Sequence, residues 1–218
     1  MKKLIISFLV SALALTGIYA QNGSTSNTLE NAVSALDKAT SAKDYEALEK
    51  DFSAIAASQK TAWLPYYYAA FCNAKIGFLY EDDGERIEPY SNRGEEQIKT
   101  ARSLLDSSKQ KTELSEVYTV LSMVYRTKVF INPMTYGRKY GMLSDQCLKQ
   151  AKQLNPENPR VLYVEAWVKY YTPKMWGGDK TLAKQLAEQS LAKLSTATAG
   201  VAPHWGKAEN QALLSKYK

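Results

Sequence analysis

DQCLKQAKQLNPENPRVLYVEAWVKYY, residues 145 to 171, carries two helical patterns separated by a Pro-punctuated turn. Counting back from Pro156, Ala151, Leu148 and Ser144 form a seam of small, large and small residues one helical face wide. Asn155 and Asn158 tolerate turn conformations and cap backbone groups, while Pro156 and Pro159 cannot continue the preceding helix and suit a turn or a first helical position. One helix therefore stops and the next starts within about four residues, which makes the two near-antiparallel neighbours.

The same alternation extends in both directions. Toward the N-terminus, helices are expected over Thr28–Thr40, over Asp44–Ala57 with Asp44 as N-cap, over the aromatic stretch Thr61–Leu79, over Gly94–Ser108 and over Thr112–Phe130. Tyr80–Arg93, with Asp82-Asp83-Gly84 and Pro89, is expected to be irregular, and Pro133–Gly141 reads as a long loop before the helix that ends at Pro156. Toward the C-terminus, Pro159–Tyr171 is a helix, Asp179 caps another that reaches Leu194, Thr196–Gly200 is a breaker, and Lys207–Tyr217 is a short cap on the open end. Runs rich in Ala, Leu, Lys, Glu and Gln dominate these segments, so the expected class is all-α, four helix pairs plus a C-terminal capping helix.

The small-large-small seam before Pro156, together with Tyr118, Leu121, Ser122 and Tyr125 in the preceding helix, resembles the tetratricopeptide (TPR) repeat. Over Leu114–Leu194 the runs NPENP, YYTP and MWGGDK look like those of small exported TPR-like proteins of Gram-negative bacteria. That resemblance implies an α-α hairpin solenoid, a fold more than an activity.

Lys2 and Lys3 before the apolar run Leu4–Leu15, with Ala20 before Gln21, read as a secretory signal peptide over residues 1–20. The run falls short of the ~20 apolar residues a span needs. Residues 21–218 are then expected to form one helical domain, periplasmic or secreted. The 28 Lys and Arg against 22 Asp and Glu give +6, two of those charges belonging to Lys2 and Lys3. So mild and dispersed an excess gives nucleic-acid binding little support.

Chemical signatures are sparse. Gly177-Gly178-Asp179-Lys180-Thr181 lacks the P-loop spacing and places a carboxylate where phosphate would sit. Glu81-Asp82-Asp83-Gly84-Glu85 lacks the alternating ligands of an EF-hand loop. His204 is the chain's one histidine, which excludes His-rich metal sites, and general-base chemistry would need an oriented partner. Cys72 and Cys147 lie in separate expected helices among apolar neighbours and read as buried thiols, with no C-x-x-C. No enzyme, no metal and no cofactor is expected.

The unusual feature is aromatic: 15 Tyr and 4 Trp. Most should pack between helices, and a remainder should line the concave face of the solenoid. Tyr67, Tyr136, Arg138, Tyr140, Tyr170 and Trp176 are the expected partner-binding residues, with the Pro133–Gly141 loop. The leading expectation is a scaffold for a protein or peptide of the cell envelope. The alternative is a small-ligand receptor or uptake accessory with an aromatic-lined pocket.

Overall fold

The computed structural model describes residues 28–194 and 200–217. The expected signal peptide and residues 196–199 of the expected breaker lie outside these. Among the described residues the chain forms helices only: α1 (28–36), α2 (Ala42–Ser58), α3 (Trp63–Leu79), α4 (Gly84–Ser103), α5 (Lys111–Ile131), α6 (Pro133–Leu154), α7 (Pro159–Tyr171), α8 (Lys180–Leu194) and α9 (Lys207–Leu214), with a 3-10 turn at Lys174–Trp176.

The joint at NPENP forms as its residues require. Asn158 accepts the Arg160 amide at 2.9 Å and Pro159 opens α7, so the missing proline N–H is one the first turn would leave unpaired anyway. Asp179 caps α8 by accepting the Leu182 amide at 2.9 Å. At α2 the cap is Ser41 and not Asp44: Asp44 sits three residues in and its carboxylate accepts from the Ser41 amide at 2.9 Å, completing a capping box.

Two expected irregular stretches are helical. Asp83 accepts the Arg86 amide at 3.2 Å and starts α4 at Gly84, ten residues before the expected Gly94. Pro89 lies inside that helix, where its ring forfeits one backbone hydrogen bond without ending the element. The expected Pro133–Gly141 loop is likewise the first turns of α6, because Asn132 caps by accepting the Thr135 amide at 3.0 Å and Pro133 takes the first helical position.

Consecutive helices pack as hairpins, and α3, α5 and α7 also pack side by side. They form an inner layer, with α2, α4, α6 and α8 outside. The layers approach closely where residues are small: Ser122 of α5 and Ser144 of α6 share a hydrogen bond at 2.9 Å, and a Cβ on Gly77 of α3 would stand 2.6 Å from Thr127 Cγ2 of α5. One apolar core runs from Leu29 to Val164 and takes in Trp205, while Leu162, Ala166, Leu186, Ala187 and Leu213 make a smaller cluster under α9. Fully buried Phe52 and Ile76 each contribute about 1.5–3 kcal/mol relative to exposure.

After α8 the chain crosses back over the inner layer. Tyr68 donates to the Val201 carbonyl at 2.8 Å, the Trp205 indole donates to the Tyr67 hydroxyl at 2.8 Å, and both ring nitrogens of His204 face acceptors, Asp37 Oδ1 at 2.9 Å and the Ala202 carbonyl at 2.8 Å. This return places the last helix opposite α3 and α7.

Candidate functional site

Between the inner layer and the returning C-terminal segment lies a cavity of about 250 Å³. Helical spacing supplies one wall. Lys75 and Phe78 follow each other on one face of α3, Met123 comes from α5, and Tyr163, Trp167 and Tyr171 line one face of α7 at intervals of four. Trp205, Glu209, Leu213 and Lys216 form the opposite wall.

Aromatic rings run through this wall in a continuous series. Phe78 meets Trp167 at 5.0 Å between centroids, Trp167 meets Tyr171 at 4.7 Å, Tyr171 meets Tyr170 at 4.9 Å, and Tyr170 meets Tyr217 at 5.3 Å. On the far side Trp205 is backed by Phe71 at 4.6 Å and faced by Tyr163 at 6.2 Å. Such separations are those of favourable ring packing, and Phe78, Tyr163, Trp167, Tyr171 and Trp205 give the cavity a largely aromatic lining.

The charges are few and arranged at the edges. Lys75 pairs with Glu209 at 3.0 Å and lies 5.6 Å from the centre of the Tyr45 ring, while Lys216 lies 5.9 Å from that of Tyr171. Burial disfavours the Lys75 ammonium, but the Glu209 carboxylate and Tyr45 together outweigh burial and hold its pKa above the usual value. Burial pushes the Tyr163 phenol well up, so it stays neutral. Two cations against one carboxylate leave the lining positive, which suits an anionic ligand.

Beneath the cavity a second polar system ties the layers together. Arg160 of α7 grips Glu116 of α5 through two hydrogen bonds, at 2.7 and 2.6 Å, and the Tyr67 hydroxyl of α3 donates to the same carboxylate at 3.2 Å. With the Trp205 indole donating to Tyr67, this network fixes α3, α5, α7 and the C-terminal segment in register.

The solved structure of the HusA haemophore from Porphyromonas gingivalis matches this chain with a TM-score of 0.74 and 31% sequence identity, over 88% of this chain and 92% of that one. The chain belongs to the HusA haemophore family. No family model matches the chain and no curated protein matches it. HusA is named as a haemophore.

Within this member of the HusA family, the residues expected at a partner surface are dispersed. Tyr67 is fully buried in the core and offers no surface to a partner, because its ring packs on Trp63 and Tyr68 and its hydroxyl is committed to Glu116. Tyr136, Arg138 and Tyr140 stand on the first turns of α6, with Tyr140 packed 5.9 Å from Tyr125 and Arg138 exposed. Trp176 is 75% exposed beyond α7. Of the six, Tyr170 continues the cavity's ring series. Lys75, Phe78, Trp167, Tyr171, Trp205 and Glu209 line the cavity and are not among the six residues expected from the sequence. The signal for most of them was present in the period of the inner helices: Phe71, Lys75 and Phe78, and Tyr163, Trp167 and Tyr171, each share a face.

A more open cleft of about 530 Å³ between α1 and α2 is lined by Ala32, Ala35, Ala54, Asp51 and Ser58. It presents no aromatic surface. Among the described residues no cluster of His, Cys, Asp and Glu is arranged to hold a metal ion, and no helix is long and apolar enough to cross a membrane.

Proposed function

We propose that this protein is an exported carrier that binds haem, or a porphyrin of the same shape, in the cavity between α3, α7 and α9, and that it performs no catalysis. The observation that carries the reading is the cavity itself: an aromatic series from Phe78 to Tyr171 edged by Lys75 and Lys216. A flat macrocycle with two carboxylates needs ring faces for its plane and cations for its acids, and kinship with a haemophore supports that cargo. The small-ligand uptake alternative is therefore favoured over the scaffold reading.

The donor set bears on how the cargo would be held. The cavity lining contains no His and no Cys, and the chain's one histidine faces Asp37 and Ala202 instead. Ring packing, carboxylate pairing and, toward the iron, tyrosine phenols or the Met123 thioether rather than an imidazole are the contacts these residues offer.

The test is a titration of the chain from Gln21 with haemin, followed by the Soret band. Binding in the micromolar range or tighter is expected. Trp167→Ala and Tyr171→Ala should each weaken it by about ten-fold, the loss of ~1–3 kcal/mol of stacking. No binding at tens of micromolar, or affinities indifferent to both substitutions, would remove the reading.

One observation favours a second contact on the same molecule. Met134, Met175 and Trp176 are 97%, 83% and 75% exposed; Met134 follows the end of α5, two residues before Tyr136, and Met175 and Trp176 follow the end of α7. We infer that this end meets an envelope protein during transfer of the cargo. Tyr136→Ala/Arg138→Ala should slow delivery of haem to intact cells while leaving haemin affinity unchanged, and unchanged delivery would refute it.

A further inference from the structure

The two walls of the cavity differ in how they are held. Phe78, Trp167 and Tyr163 belong to helices locked into the main core, whereas α9 has eight residues and packs on α7 and α8 through Leu213. Across the cavity, α9 is tied to α3 by the ion pair between Glu209 and Lys75. Both side chains line the cavity, and both keep partial solvent access, 21% for Lys75 and 18% for Glu209.

We propose that Glu209 occupies the place of a ligand carboxylate: an incoming carboxylate takes over Lys75, Glu209 is released, and α9 withdraws to enlarge the site. This inference rests on the binding reading above. A cavity of about 250 Å³ lies below the ~300–1,000 Å³ usual for sites that enclose a ligand, so a macrocycle needs one wall to move. The exchange is ionically even, because the Lys75 ammonium keeps a carboxylate partner throughout and no charge is left buried and unpaired. A ligand carboxylate entering beside an undisplaced Glu209 would meet like charge in a partly desolvated site. Once released, Glu209 keeps a hydrogen-bond partner in its own helix, since its other carboxylate oxygen accepts the Gly206 amide at 3.1 Å. Tyr45 and Phe71, whose rings lie 5.6 and 6.0 Å from the Lys75 ammonium, steady the cation through the exchange.

The probes are protoporphyrin IX, which carries two carboxylates, and its dimethyl ester, which carries none, titrated by fluorescence into the chain from Gln21, Glu209→Gln and Lys75→Met. The wild type should prefer the acid to the ester by about ten-fold, Glu209→Gln should bind the acid about ten-fold more tightly than the wild type, and Lys75→Met should lose most of the preference. Hydrogen exchange supplies a readout that does not depend on the variants folding. Amides of residues 207–214 should exchange faster when the acid is bound to the wild type, while those of α3 do not. Slower or unchanged exchange in α9 on binding, or a Glu209→Gln variant no tighter than the wild type, would overturn the exchange mechanism while leaving the carrier reading intact. Equal affinity for acid and ester in the wild type would do the same, and failure of both probes to bind would overturn the carrier reading itself.

Discussion

Replacing Glu116 with leucine should be among the most damaging single changes the protein can suffer, and the geometry sets its size. Glu116 is 3% exposed and receives two hydrogen bonds from Arg160, itself 9% exposed, and one from Tyr67. Leucine fills a similar volume but leaves the guanidinium buried without a counter-ion, which costs about 3–5 kcal/mol. The Tyr67 hydroxyl still accepts from Trp205 but loses its acceptor, adding about 1 kcal/mol. The expected loss is therefore about 5 kcal/mol, read as a lower urea midpoint at constant slope and a Tm lowered by about 10 °C or more. Adding Arg160→Met removes the orphaned charge, so the double variant should recover most of the loss and retain about 1–2 kcal/mol from the unpaired tyrosine. Arg160→Met alone strands the buried Glu116 carboxylate at about 3–5 kcal/mol, so a double-mutant cycle should give a coupling of about 7 kcal/mol. A single variant within about 1 kcal/mol of the wild type, or a double variant no more stable than the single, would refute the claim that this pair is a desolvated tie across the inner layer.

Three further outcomes follow from the same packing. Gly77→Ala places a methyl 2.6 Å from Thr127 Cγ2, whose hydroxyl is held by Ser91, and overpacking there should cost about 1–3 kcal/mol in urea unfolding; a neutral variant would mean that α3 and α5 separate freely. Burial raises the pKa of Glu95, but hydrogen bonds and charge from Lys128 and Lys99 outweigh it and hold the carboxyl below its usual value. Its ionised form thus stabilises the fold above the unfolded pKa of about 4.3, and that contribution is lost as pH falls through the lower folded value. Glu95→Gln should accordingly flatten the acid side of the stability-pH curve, and an unchanged curve would count against the pairing. Burial pushes the Cys147 thiol up to about 11 and the Cys72 thiol well above its usual value, so in native protein at pH 8 iodoacetamide should label Cys147 slowly and Cys72 only after unfolding. Rapid labelling of Cys72 would place it outside the core.

Much of the architecture was legible because helix ends leave chemical marks. Asn158-Pro159 and Asp179 announce their helices through side chains that satisfy first-turn amides, and α7 spans the residues its flanking prolines delimit. The same marks were misread where they sat beside turn-forming residues. Asn132-Pro133 is as good a start as Asn158-Pro159, although Pro133–Gly141, with its two glycines, reads as a loop. Neither glycine has a neighbour within 4 Å of a Cβ position, so the structure asks nothing of them beyond helical backbone. Asp83 likewise sits in a stretch expected to be irregular, and it caps α4. The cavity was harder to see for a different reason. Its first wall follows from helical period, but its second requires knowing that Trp205 and Glu209 return to Tyr67 and Lys75, and no local pattern encodes a contact between residues more than 130 apart in sequence. Glu116 and Arg160 were silent for the same reason, each reading as a surface charge until the helices pack.

The return of the C-terminal segment also alters how the fold is made. In an open stack of helix pairs each unit touches only its neighbours, so structure can spread from any point and the first pairs can settle while the rest are still being synthesised. Here Asp37, Tyr67, Tyr68 and Lys75 find partners among residues 201–209. The stack becomes a loop fastened at its ends, and its early helices stay incomplete until the last segment has left the ribosome. Unfolding should share that character, proceeding as one event rather than by fraying from either end, with the slow, long-range closure that distant contacts impose on a folding rate.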